Sequence, residues 1–183
     1  MIIQKGFYHN IILIICICLS IFIKFEVTAD AKSATFRASA GIILINASGQ
    51  VLALERCDIP GAWQMPQGGI DEGEDILAAT KRELYEETRI DFDSKIQLLN
   101  QHPDWLAYQL PKPSKKHGLG QVQKWTLFLF KGEDADIDLE AATPKEFCAY
   151  KWTTLRELSN EAVWFRKGIY KQLANYFSKY LAE

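Results

Sequence analysis

The sequence predicts a mixed α/β domain, with a β-sheet sandwiched between helices in an α/β/α arrangement. Three observations carry this reading. Apolar runs of strand length recur from Phe36 onward, two stretches carry apolar residues at helical intervals, and strands and helices interleave along the chain. At 183 residues the chain suits one well-packed domain and is short for two.

Phe36 to Leu54 reads as two strands around a turn. Ala40 to Ile45 is an apolar run, Asn46-Ala47-Ser48-Gly49 is turn chemistry, and Gln50 to Leu54 returns. Cys57 to Gly73 is rich in Gly and Pro and reads as an irregular, functional loop. From Glu74 or Asp75 to about Thr88 the residues favour a helix. Acids at its start suit the helix dipole, and Ile76, Leu77, Ala79 and Leu84 supply apolar contacts. Ile96–Leu99 and Trp105–Leu110 read as strands, Pro111 to Gly120 as a loop with Lys112, Lys115, Lys116 and His117, and Gln123–Phe130 and Phe147–Trp152 as strands. Thr154-x-x-Glu157 has capping-box spacing, and a helix over about 163–181 aligns Ile169, Leu173, Phe177 and Tyr180. The strands look paired as hairpins.

Hydrophobic residues make up 48% of the chain and charged ones 24%, the composition of an ordinary soluble domain. A formal net charge of −2 excludes holding nucleic acid by overall basicity, so no stable DNA binding is expected. Ile11 to Ile23 is almost wholly apolar between Lys5 and Lys24, and Val27-Thr28-Ala29 follows with small residues. That pattern fits a signal-peptide core with cleavage after Ala29. An uncleaved membrane anchor and a translation start downstream of the segment are the other two readings. The expected division is therefore residues 1–29 as signal, anchor or spurious extension, and 35–183 as the domain. Cys16 and Cys18 lie in the apolar segment. Cys57 and Cys148 lack metal-ligand spacing and read as two free thiols.

Glu83, Glu86 and Glu87 fall at i, i+3 and i+4, crowding three carboxylates onto one helical face where like charges repel. A hard divalent cation resolves that repulsion, because it binds carboxylate oxygens and bridges them to phosphates. Read from Gly68, the chain runs Gly-x5-Glu74-x7-Arg82-Glu83-Leu84-x-Glu86-Glu87-x-Arg89-Ile90. This resembles the Nudix box, the signature of the Nudix hydrolase superfamily, with Arg89 where the family has glycine. The family glycine ends the helix in a left-handed conformation, which arginine adopts at a steric cost. The stretches Trp63 to Asp71, Trp105 to Pro111, Gln121 to Trp125, Glu146-Phe147 and Val163 to Tyr170 are similar to the branch of bacterial RNA pyrophosphohydrolases and plant-type dinucleoside tetraphosphate hydrolases.

The resemblance implies a Nudix fold and a pyrophosphohydrolase dependent on magnesium, with manganese as a substitute. It implies Glu83, Glu86, Glu87 and Glu146 as metal ligands, with Glu86 or Glu146 as general base. Arg82 is expected to hold the glutamates in place and Glu74 to tie down the loop. Arg37, Arg56, Tyr108 and Lys124 match positions on the phosphate side. Phe165 and Arg166 match a pair able to sandwich a nucleobase. The expected substrates are 5′-triphosphorylated RNA, dinucleoside polyphosphates, or both. The alternatives are a hydrolase of small nucleoside triphosphates and a catalytically silent nucleotide- or RNA-binding module. Such substrates point to a cytoplasmic location, against which residues 1–29 set export or membrane anchoring.

Overall fold

A computed structural model describes residues 35–114 and 118–183. Eight strands form one sheet: β1 Phe36–Ile45, β2 Val51–Arg56, β3 Trp63–Gln64, β4 Gln67–Gly69, β5 Ile96–Gln101, β6 Leu106–Ser114, β7 Gly118–Phe130 and β8 Phe147–Thr153. The helices are α1 Ile76–Thr88, α2 Phe92–Lys95, α3 Leu155–Glu161 and α4 Lys167–Tyr176. The path through the sheet is β3-β2-β1-β7-β5, with β4 also on β1, β6 on β7 and β8 on β2.

Strand β1 is buried on both sides, and its alternation divides the core in two. Ile42 and Leu44 pack with Leu84, Ile90 and Phe128 under α1, whereas Ile43 and Ile45 pack with Leu158, Ile169, Leu173 and Phe177 under α3 and α4. Burying each such side chain contributes about 1.5–3 kcal/mol, so one polar substitution at Ile43 threatens the whole domain. The expected helices on both faces are present. At Gly41 a Cβ would stand 2.3 Å from the Trp125 ring, so glycine lets the indole lie across the central strand.

The hairpin expectation holds only in part. β1 and β2 form a hairpin closed by Gly49 N–H on the Asn46 carbonyl at 3.0 Å, with Gly49 at φ 75°. The sheet centre, however, is a parallel pair, with β1 beside β7 from Arg37↔Gln121 to Ile45↔Leu129. Long-range burial on both faces sets that pairing, and local patterning does not encode it. The 57–73 loop contains β3 and β4, and β4 pairs with β1 at Ser39↔Gly69. The expected 111–120 loop is largely strand, since β6 runs to Ser114 and β7 starts at Gly118. Lys115, Lys116 and His117 lie outside the described residues, as do Ile11 to Ile23, Cys16 and Cys18.

The helix expected over 163–181 is α4 alone, followed by a 3-10 turn at Ser178–Tyr180. Arg166 N–H closes a turn onto the Val163 carbonyl at 2.9 Å, so the chain bends before the helix starts. The short α2, capped by Asp91, is unannounced by any apolar period. The capping box forms as expected, with Thr154 on the Glu157 N–H. Leu77 is exposed rather than packed. No helix among the described residues is long and apolar enough to cross a membrane.

One expectation is overturned. Cys57 and Cys148 are joined in a disulfide, with Cα atoms 5.0 Å apart and 91 residues between them in sequence. Their spacing carries no signal because strand pairing brings them together. β2 and β8 run antiparallel, and the register steps from Glu55↔Ala149 to Arg56↔Phe147, leaving Cys148 as the extra residue of a bulge.

Candidate active site

The Gly68–Arg89 segment folds so that a loop lies against one face of α1. Asp75 caps the helix by accepting from the Leu77 and Ala78 N–H groups. Arg82, two turns beyond that cap, organises the loop. It donates from Nε to Glu74 Oε1 at 2.9 Å and from Nη2 to Glu74 Oε2 and the Gly69 carbonyl, both at 2.8 Å. Its Nη1 donates to Glu83 Oε1 at 2.8 Å and reaches Glu86 at 3.5 Å. Glu74 in turn accepts the Asp71 N–H at 3.0 Å. Gly68 leaves room for the Glu83 carboxyl, from which a Cβ there would lie 1.7 Å. At Gly69 it would meet the Arg37 guanidinium at 1.8 Å.

Arg89 ends α1 at φ 60°, the one non-glycine with positive φ among the described residues. Its N–H closes onto the Tyr85 carbonyl at 2.8 Å, so the turn that glycine would favour survives. The side chain compensates. Nε donates to the Ala141 carbonyl at 2.8 Å, and the guanidinium lies 5.1 Å from the Tyr85 ring centre.

Glu83, Glu86 and Glu87 line a cavity of about 510 Å³, and Glu146 enters it from the loop before β8. Their environments differ. Glu87 is buried, accepting the Gln67 N–H at 3.3 Å, and burial raises its pKa well above the usual value, with Glu83 and Glu146 adding repulsion. Burial also raises Glu83, against the pull of Arg82. The hydrogen bond from Arg82 draws Glu74 down to about 2. No three His, Cys, Asp or Glu side chains among the described residues stand together as a finished cage. Arg82 holds Glu83, and Glu87 turns to the backbone, so the donors share a cavity without converging on one point. The donor chemistry still fits a hard divalent cation: the acids supply only oxygen, and the buried Glu87 sits where positive charge is most stabilising.

The rest of the cavity carries cations and aromatic rings. Arg37 and Arg56 line it. Arg56 donates to both Asp58 oxygens, at 2.6 and 3.0 Å, and from Nη1 to Glu146 at 3.3 Å. Tyr108 and Phe165 stack with ring centres 5.3 Å apart. Arg166 lies over both rings, its Nη1 on Gln64 and its Nη2 on the Tyr108 hydroxyl. Arg166 is thus engaged beside Phe165 rather than standing opposite it, and the Phe165 ring is half-buried.

Of the residues expected here, Arg37, Arg56, Glu83, Glu86, Glu87, Tyr108, Glu146, Phe165 and Arg166 meet at this one cavity, with Arg82 behind it. Lys124 does not. Alternation along β7 sends Gln121 and Gln123 to the cavity side, and Lys124 donates to the Pro103 carbonyl at 2.7 Å. A buried polar wall of Gln67, Gln121 and Gln123 completes the cavity side of the sheet, with no role expected from the sequence. Gln123 donates to Gln67 Oε1 at 2.7 Å and Tyr108 to Gln121 Oε1 at 2.8 Å. Two glutamines two apart, and so on one face of a strand, are the available signal.

A carboxylate-lined cavity on a helix–loop platform, with arginines and stacked rings around it, defines a metal-assisted hydrolase of phosphate compounds. The NUDIX domain model matches residues 35–173, and the chain belongs to the NUDIX family of hydrolases. An RNA pyrophosphohydrolase of Rhodospirillum rubrum is 43% identical over 151 residues, covering 79% of this chain and 88% of that protein. Nudix hydrolase 26, chloroplastic, of Arabidopsis thaliana is 38% identical over 157 residues, covering 80% and 71%. Among solved structures, a C. elegans Ap4A hydrolase binary complex superimposes with TM-score 0.59 at 21% identity, covering 78% of this chain and 98% of that one. That likeness confirms the fold.

Proposed function

We propose that this chain is a magnesium-dependent pyrophosphohydrolase, with manganese as a substitute, acting on the phosphate chain of 5′-triphosphorylated RNA or dinucleoside polyphosphates. The observation that carries the reading is the meeting of Glu83, Glu86, Glu87 and Glu146 with Arg37, Arg56 and the Tyr108–Phe165 stack in one cavity. The names of the relatives support the substrate class. The four glutamates would hold the metal, which when bound neutralises polyphosphate charge and lowers the pKa of water. Arg37 and Arg56 bind phosphate oxygens through charge-assisted hydrogen bonds. Phe165 stacks the base, and Arg82 keeps Glu83 in place. Glu86 and Glu146 are the more exposed of the four acids, and either would take the proton of the attacking water.

Glu86→Gln is expected to cut magnesium-dependent phosphate release by on the order of 10²–10³-fold with the fold retained. An unchanged rate would refute the assignment. Product identification on 5′-triphosphate RNA and diadenosine tetraphosphate separates the two substrates. The disulfide supports the exported alternative over the cytoplasmic one, because disulfides persist in oxidising compartments. Mass spectrometry of the native N-terminus tests this, and a mature chain beginning at Asp30 is the expected result.

A further inference from the structure

The Cys57–Cys148 bridge sits beside the cavity, and each half neighbours a residue of the site. Arg56 precedes Cys57 and ends β2, while Glu146 lies two residues before Cys148. The bridged strands also meet through the Cys57 N–H, which donates to the Glu146 carbonyl at 2.9 Å. Cys148 is the extra residue of the bulge in β8. A bulge bends its strand and re-aims the side chains next to it, so holding the bulge holds the direction of Glu146. Upstream of Glu146, residues 143–145 are exposed, and Lys145 is paired with the exposed Glu140. Among the described residues the Glu146 side chain has one partner, Arg56 at 3.3 Å, whose stronger partner is Asp58. Buried Phe147 fixes the strand start, but among the described residues the bridge is the only covalent tie across this rim.

We propose that Cys57 and Cys148 are positioning residues, whose bridge aims Glu146 into the cavity and thereby sets the affinity of the acidic site for divalent metal. The proposal rests on the reading that Glu146 belongs to the metal site. Cys148 is exposed, so a reductant reaches the bridge. A phosphine opens it by taking an oxygen from water, and the two electrons and two protons released convert the Sγ–Sγ bond into two thiols. The rim then loses its tie, and Glu146 no longer holds one direction.

The test is Mn²⁺ binding to the full chain without substrate, followed by electron paramagnetic resonance. The wild type, Cys57→Ser/Cys148→Ser and Glu146→Gln are each compared with and without phosphine. Peptide mapping after alkylation reports the state of the bridge. Opening the bridge in the wild type is expected to weaken Mn²⁺ binding about tenfold, the scale of losing a group that orients a ligand. The double variant should bind as weakly and ignore the phosphine. Glu146→Gln should bind weakly in both states, because the bridge then has no ligand to aim. Should reduction lower only the melting temperature and leave Mn²⁺ affinity unchanged, the bridge is a structural brace and the inference is wrong. If Glu146→Gln binds Mn²⁺ like the wild type, the reading of Glu146 fails, and the inference with it. Phosphine treatment of the folded wild type tests the idea even where the double variant does not fold.

Discussion

The two banks of the cavity are built by different means. On the helix bank, Gly68, Glu74, Arg82, Glu83, Glu86 and Glu87 lie within one short segment, and the helical register of α1 aligns the last four. On the strand bank, Arg56 and Glu146 stand 90 residues apart and meet only because β2 and β8 pair. Local geometry holds the first bank, where Arg82 gathers its neighbours into ion pairs. Sheet register, a bulge and a disulfide hold the second. A site assembled this way should fail differently on its two sides.

The largest effect is expected on the helix bank. Gly68→Ala puts a methyl where the Glu83 carboxyl rests, and the flexible carboxylate yields rather than the backbone. Catalysis should fall on the order of 10²-fold, the cost of misplacing a reacting group by about 1 Å. The circular dichroism spectrum should stay unchanged. On the strand bank Arg56→Ala is gentler, removing a phosphate contact and the partner of Glu146. The expected result is a rise in KM of about tenfold with kcat less affected, the reverse of the pattern for Gly68→Ala.

Two acids of the helix bank titrate in opposite directions. Glu74, held down to about 2 by Arg82, contributes stability that is present above its ordinary pKa of 4.5 and is lost as pH falls toward 2. Glu87 is raised by burial, so the folded protein binds its proton more tightly than the unfolded chain does. The metal-free protein therefore gains stability from Glu87 as pH falls. Metal affinity moves the other way and rises with pH, because the cation needs the carboxylate. Glu87→Gln should stabilise the metal-free protein at neutral pH by on the order of 1 kcal/mol and weaken the pH dependence of Mn²⁺ binding, leaving the part that Glu83 contributes. Thermal melts and titrations across the acid range check both. The smallest effect is expected at Arg89→Gly. Relief of the left-handed backbone, about 1 kcal/mol, is offset by loss of the Ala141 hydrogen bond and the Tyr85 contact, so denaturant melts should shift only slightly.

The contrast also explains what was legible. The acid register of α1, the turn at Asn46–Gly49 and the Thr154–Glu157 capping box are short-range patterns. Each is read from residues one to four apart, and each formed as expected. Lys124 was misplaced because resemblance carries a position without telling which face of a strand it occupies. Cys57 and Cys148 read as free thiols because only sheet pairing closes the 91-residue gap between them.

By itself, then, the sequence determined that three glutamates share a helical face behind a glycine loop, because a helix repeats every 3.6 residues whatever surrounds it. Only the tertiary structure decided that β1 lies parallel to β7, that Arg166 engages Gln64 and Tyr108, and that a disulfide ties the strand bank. Those contacts join residues far apart in the chain. Burial of the whole sheet stabilises them, and no local pattern in the residues records it.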